Sequence, residues 1–295
     1  VFQDCPLLSQ LAIQSTSLNS IKPNFCYGCS LLGGFAIPSP VKSLSENCFY
    51  GCLNLNSITI PSTVKRIGKC SFRLCRILKQ VTIPDSVIAI DDGAFYDCIS
   101  LTSMTIPTSV KMIGSNVFSG CCSMTQIIIP GSVQMIKNDC FIGCYKLAKV
   151  TMNPYQTVLE RNAFDDCESL INLTFDSSVE SIQKYDFGKF PKLTTIVIPS
   201  SVTSIEDNAF EGCSSLTSIT IPNSVKTIGN SSFKGCSSFT QIALPSTITN
   251  IGERCFEGCS SLTQMTIPNT VTEINNRTFY GCSSLKQVTL STALT

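Results

Sequence analysis

Apolar positions recur along the chain with a fixed spacing of 23 residues. The clearest unit runs from Leu216 to Cys236 with the pattern L-x-x-I-x-I-P-x-x-V-x-x-I-G-x-x-x-F-x-G-C. Its first apolar residues have the spacing of a short strand, and Pro222 ends that strand because proline has no N–H to donate. Val225 and Ile228 then turn inward again. The pattern predicts a coil with a strand, a second inward side and a closing turn.

Three unrelated residue types keep this period. Prolines stand at 38, 61, 84, 107 and 130 and again at 199, 222, 245 and 268, while phenylalanines recur from 49 to 279 with the same step. One unit is too small to bury its apolar side chains, but stacked units bury them against one another. The sequence predicts a single repeat domain over residues 1–295, with about thirteen coils and divergent repeats between about 145 and 193.

The core L-x-x-[IV]-x-[IL], extended by I-P-x-x-V-x-x-I-x-x-x-x-F-x-G-C, resembles the BspA-like subfamily of leucine-rich repeats. The resemblance runs from Phe2 to a last predicted strand at residues 288–290. It implies a mainly β leucine-rich repeat solenoid, with a parallel β-sheet on one face and short strands or 3-10 turns on the other. Members of this subfamily are largely surface antigens of bacteria and protozoan parasites implicated in attachment to host matrix or to other cells.

One polar position also keeps the period. Typical leucine-rich repeats place Asn or Cys three residues after the last strand position, where the side chain bonds the backbone of the next coil. This chain has a hydroxyl residue there, and we predict that the hydroxyl takes over the capping role. The residues are Thr63, Ser86, Ser109, Ser132, Ser201, Ser224, Thr247 and Thr270.

Twelve of the 18 cysteines fall in one column of the repeat. They could form a disulfide framework or a row of metal sites, or the thiols could fill a small buried space once per coil. We favour buried thiols, because stacked side chains point in parallel whereas a disulfide needs converging Cβ vectors. The column residues are Cys5, Cys29, Cys52, Cys75, Cys98, Cys121, Cys144, Cys167, Cys213, Cys236, Cys259 and Cys282.

Six cysteines stand outside the column. Cys26 forms a C-x-x-C motif with Cys29, which alone is a weak zinc signal, and a local exchange of Phe and Cys accounts for it. Cys48, Cys140 and Cys255 directly precede the repeat phenylalanine, where other coils have Ala or Ser. We therefore predict that these three are small core residues. The remaining two are Cys70 and Cys122.

Composition removes most catalytic chemistries. The chain has no histidine, which excludes Ser-His-Asp and Cys-His pairs and mixed Cys/His zinc sites. A net charge of +1 with 14% charged residues argues against nucleic-acid binding, and the apolar runs are too short to span a membrane. We therefore predict a protein that is not an enzyme, with no catalytic site, no metal site and no cofactor.

Candidate partner-binding residues lie where the sequence departs from its average. The outward positions of the predicted strands are mostly Thr, Ser, Gln and Asn, and this polar face suits a protein or a glycan. A basic stretch without an acid in it could steer a partner, or it could be a solvated face. It holds Lys65, Arg66, Lys69, Arg73, Arg76 and Lys79. The divergent segment, in which Asn153 and Asp176 replace strand-ending prolines and Phe190 replaces a column cysteine, contains Tyr145, Tyr155, Phe175 and Tyr185.

Two functions remain open from the sequence. The resemblance favours a cell-surface or extracellular adhesion and recognition protein that binds host or matrix proteins. The alternative is an intracellular scaffold or cytoskeleton-associated protein, which the many unpaired thiols favour because a reducing compartment tolerates them best. Neither end of the sequence shows a polar cap, so we expect capping segments outside these residues or end-to-end self-association.

Overall fold

The computed structural model describes residues 1–15, 17–160, 162–183 and 192–294. The chain falls into two compact units, each a stack of coils. Unit 1 comprises Val1–Val150 and Gln156–Leu170, and unit 2 comprises Thr151–Tyr155 and Ile171–Thr295. A typical coil has a first strand of three or four residues after its periodic leucine, such as Leu216. A second strand of two residues follows its periodic valine, such as Val225.

The second strands of unit 1 form one parallel sheet of seven. Its register advances by one coil per strand, since Arg66 pairs with Ala89 and Ala89 pairs with Met112. On the other side, isolated bridges at Thr82 and Thr105 continue the row of first strands. The second strands are β1 (Ser20–Ile21), β3 (Ser43–Leu44), β5 (Arg66–Ile67), β6 (Ala89–Ile90), β7 (Met112–Ile113), β9 (Met135–Ile136) and β11 (Val158–Leu159). The first strands are β2 (Gly34–Ala36), β4 (Ser57–Thr59) and β8 (Gln126–Ile128), and β10 (Lys149–Met152) includes residues of both units.

Unit 2 repeats the same arrangement. Its four second strands form a parallel sheet with the same one-coil step, as in the pairing of Ile205 with Ile228. The second strands are β13 (Ser181–Ile182), β15 (Ser204–Ile205), β17 (Thr227–Ile228) and β18 (Asn250–Ile251). The first strands are β12 (Asn172–Phe175), β14 (Thr195–Val197), β16 (Ser218–Thr220), β19 (Gln264–Thr266) and β20 (Gln287–Thr289).

The periodic apolar residues build the core of each unit. In the coil that begins at Leu216, both Val225 and Ile228 are fully buried, and Phe233 and Cys236 are buried with them. The phenylalanine rings of successive coils stack face to face, with centroids 4.9 to 5.9 Å apart in unit 1 and 5.3 to 5.7 Å apart in unit 2. Each coil therefore buries its aromatic ring only because a neighbouring coil covers it.

Each complete closing turn among the described residues contains two residues in the left-handed region. In one coil these are Asn47 with φ 55° and Gly51 with φ 71°, on either side of Phe49. Asn and Gly adopt this conformation with the least strain, which explains their recurrence there. Between the two positions, the amide of Phe49 donates to the carbonyl of Ser71 in the next coil at 2.8 Å. The turns of neighbouring coils are thus bonded to each other through their backbones.

The predicted hydroxyl ladder is present, but it bonds the preceding coil. Ser86 Oγ donates to the Val64 carbonyl at 2.6 Å, and Thr247 Oγ1 donates to the Val225 carbonyl at 2.8 Å. Thr63, Ser109, Ser201 and Thr270 make the same contact. Ser132 and Ser224 do not follow the prediction, since their buried hydroxyl oxygens have no hydrogen-bond partner within the described structure.

The column cysteines form a second ladder. Cys98 Sγ donates to the Phe72 carbonyl of the preceding coil at 3.2 Å, and Cys236 Sγ makes the same contact with the Phe210 carbonyl. A thiol at this position both fills a small buried space and bonds a backbone oxygen, which Ala could not do. Nine of the twelve column cysteines are buried as predicted, and Cys213 and Cys282 are partly exposed. The prediction is wrong for Cys5, which is exposed. The nine are Cys29, Cys52, Cys75, Cys98, Cys121, Cys144, Cys167, Cys236 and Cys259.

The predicted leucine-rich repeat solenoid is confirmed, with two differences of detail. Second strands are present in eleven coils of the described chain, against about thirteen coils predicted. The coil that begins at Leu262 has the first strand β19 but no second strand. On the second side the described coils have two-residue strands and turns but no 3-10 segment, since backbone pairing with the next coil favours extended residues. Among the described residues, no helix is long and apolar enough to cross a membrane.

Candidate functional site

The outward positions of the first strands form an exposed polar face on each unit. Ser57 and Thr59 flank the buried Ile58 in unit 1, and Gln264 and Thr266 flank a buried methionine in unit 2. This is the alternation that the sequence predicted. The face offers hydroxyl and amide groups backed by a buried row of apolar side chains.

Some of these hydroxyls already have partners within the stack. Thr217 Oγ1 donates to the Thr194 carbonyl at 3.2 Å, and Thr263 Oγ1 donates to the Thr240 carbonyl at 3.1 Å. These threonines lie at the first outward position after the column apolar residue. Thr220 and Thr266, at the ends of their strands, make no side-chain hydrogen bond within the described residues and are available to a partner.

The structure distributes the basic stretch around one coil of unit 1. Lys65 and Arg66 lie on the second-strand side, Lys69 and Arg73 in the closing turn, and Arg76 and Lys79 beyond the column cysteine. Arg66 is engaged, because its Nε lies 2.6 Å from Asp91 Oδ2, and this contact raises the pKa of the guanidinium. The six cations therefore do not form one patch.

Lys69 and Arg73 share a shallow pocket of about 270 Å³ in unit 1. The Arg73 guanidinium lies over the Tyr96 ring at 4.0 Å from its centroid and near the Tyr50 ring at 5.8 Å. These cation–π contacts hold the side chain against the wall. The pocket is lined further by Cys70, Asp92, Gly93, Tyr96, Ser115 and Asn116.

Two of the four predicted aromatic residues pack together in unit 2. The rings of Tyr155 and Phe175 are 6.1 Å apart and nearly parallel. The Tyr155 hydroxyl donates to the Gln183 carbonyl and accepts from the Gln183 amide, each at 2.9 Å. Phe175 is only 1% exposed, so it is a core residue here and not a surface contact as predicted. Tyr185 lies outside the described residues.

In the divergent segment, the side chains of Asn153 and Asp176 end the first strands, as proline does in other coils. Asn153 Oδ1 accepts from the Tyr155 amide at 3.0 Å, and Asp176 Oδ1 accepts from the Ser178 amide at 2.9 Å. Each is a turn closed by the side chain of its first residue, so the strand still ends where proline would end it. Asn153 also donates to Ser178 Oγ at 2.8 Å.

Tyr145 is half exposed at the corner that follows the column cysteine of unit 1. Four earlier coils carry an exposed aliphatic side chain at one of the same two positions, whereas the coil of Cys121 has Cys122 and Ser123 there. We refer to this set as the corner row. Its members are Leu31, Leu53, Ile77, Ile99 and Tyr145, which are 39 to 50% exposed.

The cysteines have the electrostatics of inert core residues. All 18 are free thiols in the described chain, and burial raises the pKa of Cys52, Cys213 and Cys259 to about 12. A neutral thiol at ordinary pH is a poor nucleophile and a poor metal ligand. Cys48, Cys140 and Cys255 are fully buried, which confirms their prediction as core residues; Cys26 is buried with them, and Cys70 and Cys122 are partly exposed.

Sequence reasoning missed a further surface, on the second-strand side of unit 1. The two residues before a buried second-strand residue are outward positions, except at Leu159, where Thr157 is buried. Several of these positions carry cations or large apolar side chains. The 23-residue period of the sequence also identifies these outward positions, on the second side of the coil instead of the first. We call this surface the second face; it comprises Lys42, Lys65, Arg66, Ile88, Ala89, Lys111, Met112, Met135 and Val158.

Comparison with known proteins relates the chain to one repeat family. The BspA type leucine-rich repeat region, in six copies, matches residues 1–79, 71–193, 112–239 and 203–295. No curated protein matches the chain.

Similar solved structures include three bacterial leucine-rich repeat proteins. A leucine-rich cell surface protein from Faecalibacterium prausnitzii is 29% identical with a TM-score of 0.47, covering 90% of this chain and 80% of that one. A leucine-rich repeat protein from Bacteroides ovatus is 27% identical with a TM-score of 0.39, covering 91% and 81%. The leucine-rich repeat protein of T. pallidum is 25% identical with a TM-score of 0.37, covering 70% and 77%.

Proposed function

The chain belongs to the BspA-type leucine-rich repeat family, and from that premise we propose that it is a non-enzymatic adhesion and recognition protein. It acts at the cell surface or outside the cell and binds host or matrix proteins. Leucine-rich repeat proteins generally bind other proteins, and attachment to host or matrix is the specific step of this proposal.

The observation that carries the proposal is the polar face of the first strands. Residues such as Thr59, Thr220 and Thr266 lie on strands whose other side is buried, so their positions are fixed before a partner arrives. A pre-ordered surface loses little conformational entropy on binding. Many modest hydrogen bonds over several coils can then add up to specific recognition.

A binding measurement with purified matrix proteins tests this function. The chain is immobilised and a panel of extracellular-matrix proteins is passed over it in a surface plasmon resonance experiment. We expect at least one to bind, and the triple variant Thr59→Glu, Thr220→Glu and Thr266→Glu to bind at least about tenfold more weakly because it places carboxylates on the polar face. Circular dichroism checks that the variant is folded.

Location is tested separately. Antibodies against the chain should stain intact cells as strongly as permeabilised ones. Staining that requires permeabilisation, together with no binding to the matrix panel, would overturn the proposal in favour of an intracellular scaffold. That alternative is supported by the 18 free thiols, which a reducing compartment preserves.

A further inference from the structure

The second face of unit 1 combines cations with an apolar stripe. One row across the sheet contains Ala89, Met112, Met135 and Val158, which pair with one another in register. Val158 is 57% exposed, and the two methionines are partly exposed. Adjacent strands lie about 4.8 Å apart, so this stripe is about 14 Å long.

A second row on the same sheet is mostly cationic, and it overlaps the stripe at Ile88 and Lys111. It contains Lys42, Lys65, Ile88 and Lys111, which successive coils hold in line because each backbone amide donates to the carbonyl of the residue before it in the row. All four side chains are exposed. None of the three lysines has an ion-pair partner in the described structure, so their charge is available.

Carboxylates occur only at the border of this face. Asp91 follows the strand of its coil and is bonded to Arg66 at 2.6 Å. Glu160 accepts a hydrogen bond from the Asn138 amide at 3.2 Å. The outward positions of the seven strands contain no acidic residue. The face is therefore an apolar stripe with Lys111 beside Met112, and with the unneutralised charges of Lys65 and Lys42 on the two strands that precede Ala89.

We propose that the second face of unit 1 binds an acidic amphipathic helix of a partner protein, and this rests on the proposed function as a protein-interaction module. The apolar side of the helix contacts Met112, Met135 and Val158. Its carboxylates lie over Lys65 and Lys111. This surface is on the opposite side of the coil from the polar face of the first strands.

Spacing favours a helix over an extended chain. On one side of a helix, side chains three or four residues apart are separated by about 5 to 6 Å, which is close to the strand spacing of about 4.8 Å. Alternate side chains of an extended strand are about 6.6 to 6.8 Å apart, which loses register with the stripe within a few rows. Lys65 and Lys111 are two strands apart, about 10 Å, and helical residues at i and i+7 are separated by about 10.5 Å.

Residue chemistry favours a protein over a lipid surface. Proteins that insert into the membrane interface typically present Trp or Tyr among their cations. The outward positions of the second face contain neither. Methionine side chains instead adapt their shape to the apolar side of a helix, as on protein surfaces that bind several partners.

The experiment measures binding of a designed probe to the full chain by fluorescence anisotropy. The probe is a labelled peptide helix with leucines on one side and glutamates beside them. Two control peptides have the same composition in scrambled order, or lysine in place of each glutamate. We expect the acidic helix to bind at least about tenfold more tightly than either control, with an affinity that falls as salt is raised.

Two variants and their matched controls locate the site. Lys42→Gln, Lys65→Gln and Lys111→Gln together should reduce the affinity at least about tenfold, whereas Lys226→Gln, Lys234→Gln and Lys286→Gln remove the same charge from unit 2 and should not. A second pair tests the stripe: Met112→Ser, Met135→Ser and Val158→Ser should weaken binding, and Leu53→Ser, Ile99→Ser and Ile128→Ser should not.

Three results would overturn the proposal. These are no preference for the acidic helix, equal losses in the variants and their controls, or binding to phosphatidylcholine–phosphatidylserine vesicles that depends on the same three lysines. Any of them leaves the matrix-panel result untouched, so the failure of this inference can be told from failure of the proposed function. Thermal unfolding of each variant by circular dichroism confirms that it is folded.

Discussion

Units 1 and 2 share a core but differ on their surfaces. In both, stacked phenylalanines, buried valines and buried isoleucines recur coil by coil. At the corner after the column cysteine, unit 1 carries the exposed side chains of the corner row. At the same place, four coils of unit 2 carry two serines each, at 214–215, 237–238, 260–261 and 283–284.

The second strands show the same contrast. Where unit 1 has Met112, Met135 and Val158, unit 2 has Ser204, Thr227 and Asn250 at the equivalent positions. Since both units fold with the same inward residues, folding does not require apolar side chains at the outward positions. The difference therefore points to a role in contacts outside the unit, and it can be tested on the core, on the thiols and on the surface.

The largest expected effect comes from the shared core. Phe95→Ala in unit 1 and Phe233→Ala in unit 2 each remove a fully buried ring that stacks on two neighbours. We expect each to lower the free energy of unfolding by about 3 to 5 kcal/mol, measured by urea unfolding with circular dichroism. A loss below about 1 kcal/mol for one of the two would show that the cores of the two units are not equivalent.

The thiol column should make both units sensitive to alkali. Burial raises the pKa of Cys52 and Cys259 to about 12, well above that of an exposed thiol. Below about pH 9 the thiols are protonated in both states; above it the unfolded thiols ionise first, so stability falls until the folded pKa is reached. The loss is about 1.4 kcal/mol per thiol for each pH unit.

Urea unfolding at a series of pH values measures this effect. The midpoint should fall between about pH 9 and about pH 11. Alkylation followed by mass spectrometry measures the accessibility of each thiol in the folded chain. The exposed Cys5 should react first, the partly exposed Cys213 and Cys282 next, and the buried Cys98 last. Rapid labelling of Cys98 in the folded chain would contradict the buried column.

The smallest expected effect concerns the surface. Leu53→Ser and Ile99→Ser give unit 1 the corner of unit 2, and Ser237→Leu makes the reverse change. Each should alter the free energy of unfolding by less than about 0.5 kcal/mol, because the side chains are exposed. A loss above about 2 kcal/mol in a thermal or urea melt would show that the corner row serves folding, and the contrast between the units would lose its functional meaning.

Most of the fold was predictable because the residue at each repeat position packs against the residue at the same position of the neighbouring coils. Val225, Ile228 and Phe233 are buried where the period placed them. The sequence could not show how Asn153 and Asp176 replace proline, since that depends on a side-chain oxygen reaching an amide two residues on. It also missed that two hydroxyls of the ladder, on Ser132 and Ser224, lack a partner.

The candidate surfaces were less predictable than the core. Six neighbouring cations suggested one patch, but the chain turns through much of a coil between Lys65 and Lys79, so they face different directions. Phe175 was grouped with surface aromatics by its position in the sequence, whereas its strand turns it inward. Outward positions are set by which side of the coil a residue lies on, and proximity in sequence does not report this.

The constant register between coils also bears on how such a gene can change. Pairs such as Arg66 with Ala89 are 23 residues apart, and the thiol and hydroxyl contacts keep equally fixed separations. Recombination that removes or duplicates one whole repeat would give every backbone group a new partner of the same kind. An insertion of one residue would shift every later side chain of its coil. The fold therefore tolerates the gain or loss of whole coils, so that the number of coils can change while the structure of each coil stays the same.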